Sequence, residues 1–355
     1  MSLLRAADDQ GSPDPVPQGA VSSEPAPESE PIPPWPGHLV DLPGSQVFVR
    51  HAPAADAAEP ALFIHGLGGS STNWTDLMDL LSRPVQAQPA APVLACAAID
   101  LAGFGSSPPT SGDYSINAHA TTVIQLIEEQ GLGPVHLIGN SLGGAVSTRV
   151  AARRPDLVRT LVLVSPALPD LRPRPLPMRL ALAAVPAIGP AIMAGLRRLP
   201  AESRTDRAIR DVYSDPGIVH PTRRREEIAE VLRRDSLFYA DQALLMTARS
   251  LVSEYFKVGR SSLWRDAATI AAPALILHGS HDRLVNPVMA AKAARAFPTA
   301  RVLVLAGVGH VAMMERPALV ATEIRAFLDS VQESGGTAIA AERISDETSV
   351  DPVQN

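Results

Sequence analysis

A single cysteine, Cys96, stands in a chain of 355 residues, so no disulfide forms within it and nothing in its cysteine usage marks an oxidising compartment. Aromatic residues make up only 4%, and lysine is scarce beside arginine. The net charge is -6, with acidic and basic residues intermixed, so no basic field exists to draw in nucleic acid or an anionic membrane at large. A run of about 18 uncharged apolar residues, the minimum for a spanning helix, is missing. The stretch Pro175 to Leu196 comes nearest, and Arg179, Pro177, Pro186 and Pro190 interrupt it. Met1 to Pro36 lacks the basic start and apolar block of an export signal, which makes the cytoplasm the expected location. Metal-ligand spacing is also missing: His281, beside Asp282, has no second ligand at helical or turn distance, and no metal is expected. These absences leave a small molecule as the expected partner.

What is present suffices for a large core, since 46% of the residues are apolar. Residues 1–36 and 334–355 are rich in Pro, Glu, Ser, Gly or other small polar residues, and such segments bury too little apolar surface to offset their ordering entropy. Both are expected to be disordered tails. Between them, short apolar runs alternate with helical spacing, the pattern of a mostly parallel sheet covered by helices on both faces. A hairpin is predicted over His38 to Val49 around Pro43-Gly44. Strands are predicted over Ala61 to His65, Val93 to Asp100, Val135 to Ile138, Thr160 to Val164, Ala274 to His278 and Arg301 to Leu305. Helices are predicted over Trp74 to Leu81, from a Ser115 cap through Glu129, over Leu142 to Arg153, and from Pro317 onward. Residues 37–165 and 273–333 thus read as one α/β core. Residues 166–272 break the alternation with helical segments and prolines and no convincing strand, and read as an inserted helical cap.

The chemistry-bearing residues follow the strands. Gly139-Asn140-Ser141-Leu142-Gly143 lies between an apolar strand and a helix, where a sharp turn lifts Ser141 above the sheet and flanking glycines leave room for a crowded backbone. The bare pentapeptide also fits an incidental serine in a strand-to-helix turn; its placement favours a nucleophile. A serine hydroxyl needs a base, and His310, in the glycine-rich loop after Arg301 to Leu305, is the candidate, against the bland reading of a solvated loop histidine. Asp282, in His278-Gly279-Ser280-His281-Asp282-Arg283, is the candidate acid that orients the imidazole. Its bland reading is a turn aspartate or an ion pair with Arg283. The other place for an acid, after Thr160 to Val164, holds Ser165 and Pro166. An oxyanion would be met by the backbone N–H of Leu142 and by that of Leu67, in the loop His65-Gly66-Leu67-Gly68-Gly69. A phosphate-binding reading of that loop is set aside because no lysine follows it. His65 and Asp100 read as residues that brace turns.

Taken in order, His65 to Gly69, Asp100 to Gly105, Gly139 to Gly144, Gly279 to Arg283, and Gly309-His310 with Glu315-Arg316-Pro317 resemble the α/β-hydrolase fold superfamily from about Val40 to Val331. The resemblance implies a mostly parallel eight-stranded sheet with helices on both faces, a helical cap inserted after the sixth strand, a Ser141–Asp282–His310 triad, and no cofactor. The Gly-Asn-Ser elbow is similar to that of meta-cleavage-product hydrolases, which cut carbon-carbon bonds, and to that of esterases and monoacylglycerol-lipase-like members. The oxyanion loop lacks the Gly-Pro-Gly run of the carbon-carbon hydrolases. Serine at position 141, where epoxide hydrolases and haloalkane dehalogenases have aspartate, points away from those two chemistries. Hydrolysis of a carboxylic ester is the expected activity, with carbon-carbon hydrolysis and a catalytically silent binding role as alternatives. The substrate-binding residues are not identified by the sequence. Met178, Leu180, Leu182, Val185, Ile188, Ile192, Met193 and Leu196 form an apolar set that lines an acyl pocket, meets a lipid interface, or simply packs the cap on the core.

Overall fold

Alternation along the strands decides which side of the sheet each residue serves. In the strand Glu59–Ile64, Ala61 and Phe63 join the apolar cluster on one face while Leu62 and Ile64 join that on the other. A strand buried on both faces therefore reads as an unbroken apolar run, as the central strands here do. The structure, a computed structural model, describes residues 18–19, 31–55, 58–85, 91–111, 113–170, 175–257 and 259–334.

In chain order the elements are β1 (Gln18–Gly19), β2 (Gly37–Leu42), β3 (Ser45–His51), β4 (Glu59–Ile64), α1 (Thr75–Leu81), β5 (Leu94–Asp100), α2 (Ile116–Glu129), β6 (Val135–Asn140), α3 (Leu142–Arg153) and β7 (Val158–Val164). Six helices follow without a strand among the described residues: α4 (Pro175–Ala183), α5 (Gly189–Leu196), α6 (Ala201–Val212), α7 (Pro221–Asp235), α8 (Ala240–Glu254) and α9 (Leu263–Ala267). The sheet resumes with β8 (Ala274–Gly279), α10 (Met289–Ala296), β9 (Ala300–Leu305), α11 (Ala312–Glu315) and α12 (Pro317–Glu333). The strand order is β1-β9-β8-β7-β6-β4-β5-β3-β2. From β9 to β5 neighbouring strands are parallel, while β3 and β2 return antiparallel at one edge. Eight strands make the mostly parallel sheet; the two-residue β1 adds to β9 at the far edge. This is the α/β-hydrolase fold.

Several local expectations hold in detail. The opening hairpin turns at Gly44, with φ 79°, and the Ser115 hydroxyl accepts the Ala118 N–H at the start of α2. One boundary needs correction. Residues 31–36, placed by the sequence in a disordered tail, are tied to the body: the Trp35 indole donates to Thr75 O at 3.1 Å, and Arg50 and Arg223 donate to Trp35 O and Ile32 O at 2.6 and 2.9 Å. These bonds run to residues far along the chain, so local composition carries no sign of them. The remainder of the expected N-terminal tail, apart from Gln18–Gly19, and residues 335–355 of the C-terminal one lie outside the described residues.

The helical segment between β7 and β8 is joined to the sheet layer by a buried charge cluster. Arg149 of α3 reaches Glu254 of α8 at 3.1 Å and Asp266 of α9 at 2.5 Å, and Lys257 meets the other oxygen of Glu254 at 2.5 Å. Glu254 is fully buried and Arg149 nearly so, which makes the arginine the main compensation for a desolvated carboxylate.

Candidate active site

The elbow forms because β6 ends where α3 must begin at once. Ser141 takes φ 53° and ψ -114°, a conformation that L residues rarely adopt, and its N–H donates to Val164 O at 3.1 Å. The helix can start so close to the sheet because position 143 has no side chain: a Cβ there would lie 2.1 Å from Ile64 O. The first helical bond, Ala145 N–H to Ser141 O at 3.1 Å, leaves the Leu142 amide, at the first position of α3, outside the intrahelical ladder. Ser141 itself is half-buried.

The loop after β4 packs directly on this elbow. A Cβ on Gly66 would come within 3.3 Å of Ser141 Cβ and 2.9 Å of Asn140 Oδ1, so Leu67 follows one residue beyond the point of contact. His65 holds the loop: its Nδ1 faces Gly66 O at 2.7 Å and its Nε2 accepts the Leu101 N–H at 3.0 Å. With Nδ1 donating and Nε2 accepting, the buried ring is neutral, and burial lowers its pKa against the pull of Asp100. Asp100 braces its own turn by accepting the Ser106 N–H at 2.7 Å and ties it to the loop after β4 by accepting the Ser71 N–H at 2.5 Å.

At the next strands, His310 Nδ1 lies 2.9 Å from Asp282 Oδ2. A carboxylate only accepts, so Nδ1 carries the hydrogen, and in the neutral ring the lone pair lies on Nε2. Both side chains are buried. Oδ1 of Asp282 accepts the Leu284 and Val285 N–H groups at 2.8 and 2.9 Å. Burial acts to raise the Asp282 pKa, but His310, through charge and hydrogen bond, together with the Val285 amide and the Ser165 hydroxyl, outweighs it and leaves the pKa below the ordinary carboxyl value. The backbone of His310 is fixed from two sides: its N–H donates to Val212 O of α6 at 2.7 Å, and its carbonyl accepts from Asn140 Nδ2 at 3.2 Å. The same Asn140 amide also donates to Val164 O at 3.0 Å.

The fold therefore brings Ser141, Asn140 and the His65–Gly69 loop together at the end of β6, and Asp282 with His310 at the ends of β8 and β9. Two features of the site carry no signal in the sequence that assigns them a role. Asn140 sits within the elbow motif, yet its bond to His310 O joins residues 170 positions apart. His278, buried beside this pair with no hydrogen-bond partner to either ring nitrogen among the described residues, has its pKa pushed down to about 4 by burial, with Asp282 opposing and His310 adding to the fall. Among the described residues no group of three His, Cys, Asp or Glu side chains is placed to hold a metal ion.

The sequence matches the family described as alpha/beta hydrolase fold over residues 60–317. The chain belongs to that family. Relatives of this α/β hydrolase include a dihydrolipoyllysine-residue acetyltransferase component of an acetoin cleaving system from Cupriavidus necator, 28% identical over 76% of this chain and 63% of the relative. The chain thus spans less than two thirds of that relative's length. Lipase 3 of a Moraxella species is 28% identical over 78% of this chain and 79% of its own. Among solved structures, a haloalkane dehalogenase from Bradyrhizobium elkani superposes with a TM-score of 0.69 at 22% identity, covering 84% of this chain and 99% of that one. That likeness concerns the fold. No described helix of this α/β hydrolase is long and apolar enough to cross a membrane.

Proposed function

We propose that this α/β hydrolase cleaves carboxylic esters by two-step acyl transfer with Ser141 as nucleophile, His310 as base and Asp282 as its orienting acid. The observation that carries the reading is the His310 Nδ1–Asp282 contact of 2.9 Å, which fixes the tautomer a base requires, beside a serine in a strained elbow. Ser141 Oγ attacks the carbonyl carbon while His310 Nε2 takes its proton, and the tetrahedral oxyanion is met by the amides of Leu142 and Leu67. The imidazolium then protonates the leaving alcohol. Water, deprotonated by the same nitrogen, releases the acid. The resemblance to Lipase 3 of Moraxella and to an esterase of Mycobacterium tuberculosis, each 28% identical, supports ester over carbon-carbon substrates.

The helices α4 to α9 act in this reading as the cap over the nucleophile. Met178 and Leu182 on α4 are 58% and 49% exposed, and Val185 and Ile188 after it also face out. An apolar face turned to solvent fits a lipid-like ester presented at a surface better than a closed acyl pocket. The test is labelling by a fluorophosphonate probe and turnover of p-nitrophenyl esters of graded chain length. The parent labels at Ser141 and Ser141→Ala neither labels nor turns over; normal turnover by Ser141→Ala overturns the mechanism. Activity confined to short chains removes the lipid-like substrate. Cleavage of a ring-fission dienone in preference to any ester favours the carbon-carbon alternative.

A further inference from the structure

We infer that Glu315 is a positioning residue for the base: its carboxylate fastens the Gly309–His310 peptide to the end of α6, so that the helical segment 166–272 sets where the imidazole stands. The inference rests on the reading of Ser141 and His310 above. Glu315 is only 5% exposed, and a buried carboxylate requires partners. It finds them on two separate elements. Oε2 accepts the Gly309 N–H at 2.9 Å, one residue before the histidine, and the Ser214 N–H at 3.0 Å, two residues beyond the end of α6. Oε1 meets the Ser214 hydroxyl, which also lies 2.7 Å from Gly307 O. At the next residue the junction is repeated without Glu315, because Val212 O, one of the last carbonyls of α6 with no intrahelical donor, accepts the His310 N–H.

The contact is close enough that position 309 admits no side chain: a Cβ there would stand 2.6 Å from both Ser214 N and Val212 O and 2.8 Å from Glu315 Oε2. Loop and helix end are thus pressed together, with one oxygen of the Glu315 carboxylate accepting an amide from each. Nothing links Glu315 to substrate. Its effect passes through the main chain of His310, whose ring must reach Ser141 Oγ on another strand. A displacement of about 1 Å in such an arrangement costs up to about 100-fold in rate.

The charge is less important than the shape of the junction. The one proton on Ser214 Oγ cannot serve Glu315 and Gly307 O together. A glutamine resolves this: its carbonyl takes the two N–H groups, its NH₂ donates to Ser214 Oγ, and the hydroxyl donates to Gly307 O.

The experiment compares Glu315→Ala, Glu315→Gln and Ser214→Ala on a short p-nitrophenyl ester, with the pH dependence of kcat/KM and the downfield Nδ1–H proton resonance of His310 as further readouts. Glu315→Ala is expected to lower kcat by about 10- to 100-fold with KM within about twofold, to displace the limb of the pH profile that reports the base, and to shift the resonance. Glu315→Gln is expected to restore kcat to within about threefold of the parent, and Ser214→Ala to lower it by a few-fold from the other side of the junction. A parent-like kcat and pH profile in Glu315→Ala overturns the inference, as does Gln as impaired as Ala. Should Glu315→Ala not fold, an unchanged pH profile and resonance in Ser214→Ala overturns it equally. Fluorophosphonate labelling of the parent tests the nucleophile separately, and the resonance reads the His310–Asp282 bond whatever the substrate.

Discussion

Ser141 and Asp282 show two ways in which a single residue departs from its ordinary state. Ser141 stores strain in its backbone, on the order of 1–3 kcal/mol for such a conformation, compensated by the strand and helix that converge on it. Asp282 is held ionised although buried, because each oxygen has donors: two loop amides on Oδ1 and the imidazole on Oδ2. Asp282→Asn keeps the volume and removes the charge, so the ring loses both its preferred tautomer and the partner of its imidazolium. We expect kcat for a p-nitrophenyl ester to fall by about 10³- to 10⁴-fold with little change in KM, checked by steady-state kinetics. A fall of less than tenfold would mean that the contact only packs the loop. Candidates for such positions are legible in the sequence. Ser141, Asp282 and His310 each follow an apolar strand in the order serine, acid, histidine, and each lies in a loop with glycine. Glu315 stands out in the sequence only as part of the Glu315-Arg316-Pro317 run, and its bond to Ser214 is not legible, since it joins positions 101 apart.

At the level of elements, the parallel strands were the easiest to read, because burial on two faces leaves an apolar run that only turn residues end. β6 is a useful exception: it runs on through Gly139 and Asn140, where small and polar residues disguise a strand that is buried along its whole length. Helices α10 and α11 escaped the sequence reading, one short and alanine-rich, the other a single turn. The segment 166–272 was legible as helical but not in how it is held. Its tie to α3 is Arg149, and removal of that side chain strands the Glu254 carboxylate in the interior with Lys257 as its remaining cation. Arg149→Met is therefore expected to cost about 3–5 kcal/mol of stability, read from urea denaturation. Adding Glu254→Gln to the same chain recovers part of the loss, because the stranded charge goes with it. A cost below about 1 kcal/mol would show the cluster to be hydrated and the segment to be held by apolar packing alone.

Over the whole molecule, the two apolar layers on either side of the sheet enclose histidines that must stay neutral. His119, buried between α2 and α8 with its Nε2 3.3 Å from Thr247 Oγ1, and His278, beneath the proposed base, are both pushed down to about 4 by burial. In the unfolded chain each titrates near 6.5, so on acidification the unfolded state takes up protons first. Their contribution is whole above about pH 6.5 and erodes as the pH falls toward 4, by about 3 kcal/mol for each at 1.36 kcal/mol per pH unit. Asp282 works in a lower window: its pKa is depressed, so its contribution is present above the ordinary carboxyl value near 4 and is lost only below that. Within the stretch from pH 6.5 to 4 these two histidines act alongside His65, His136 and His51, whose pKa values burial also lowers, and against Glu227, whose carboxyl pKa burial raises. We expect a His119→Gln/His278→Leu chain to lose about 3 kcal/mol or more less than the parent between pH 7 and pH 4.5 in urea unfolding, whatever its stability at neutral pH. An equal loss in both chains would mean that water reaches these two rings in the folded state, and the acid limb would then come from other buried histidines, His65 and His136, whose pKa values burial also lowers.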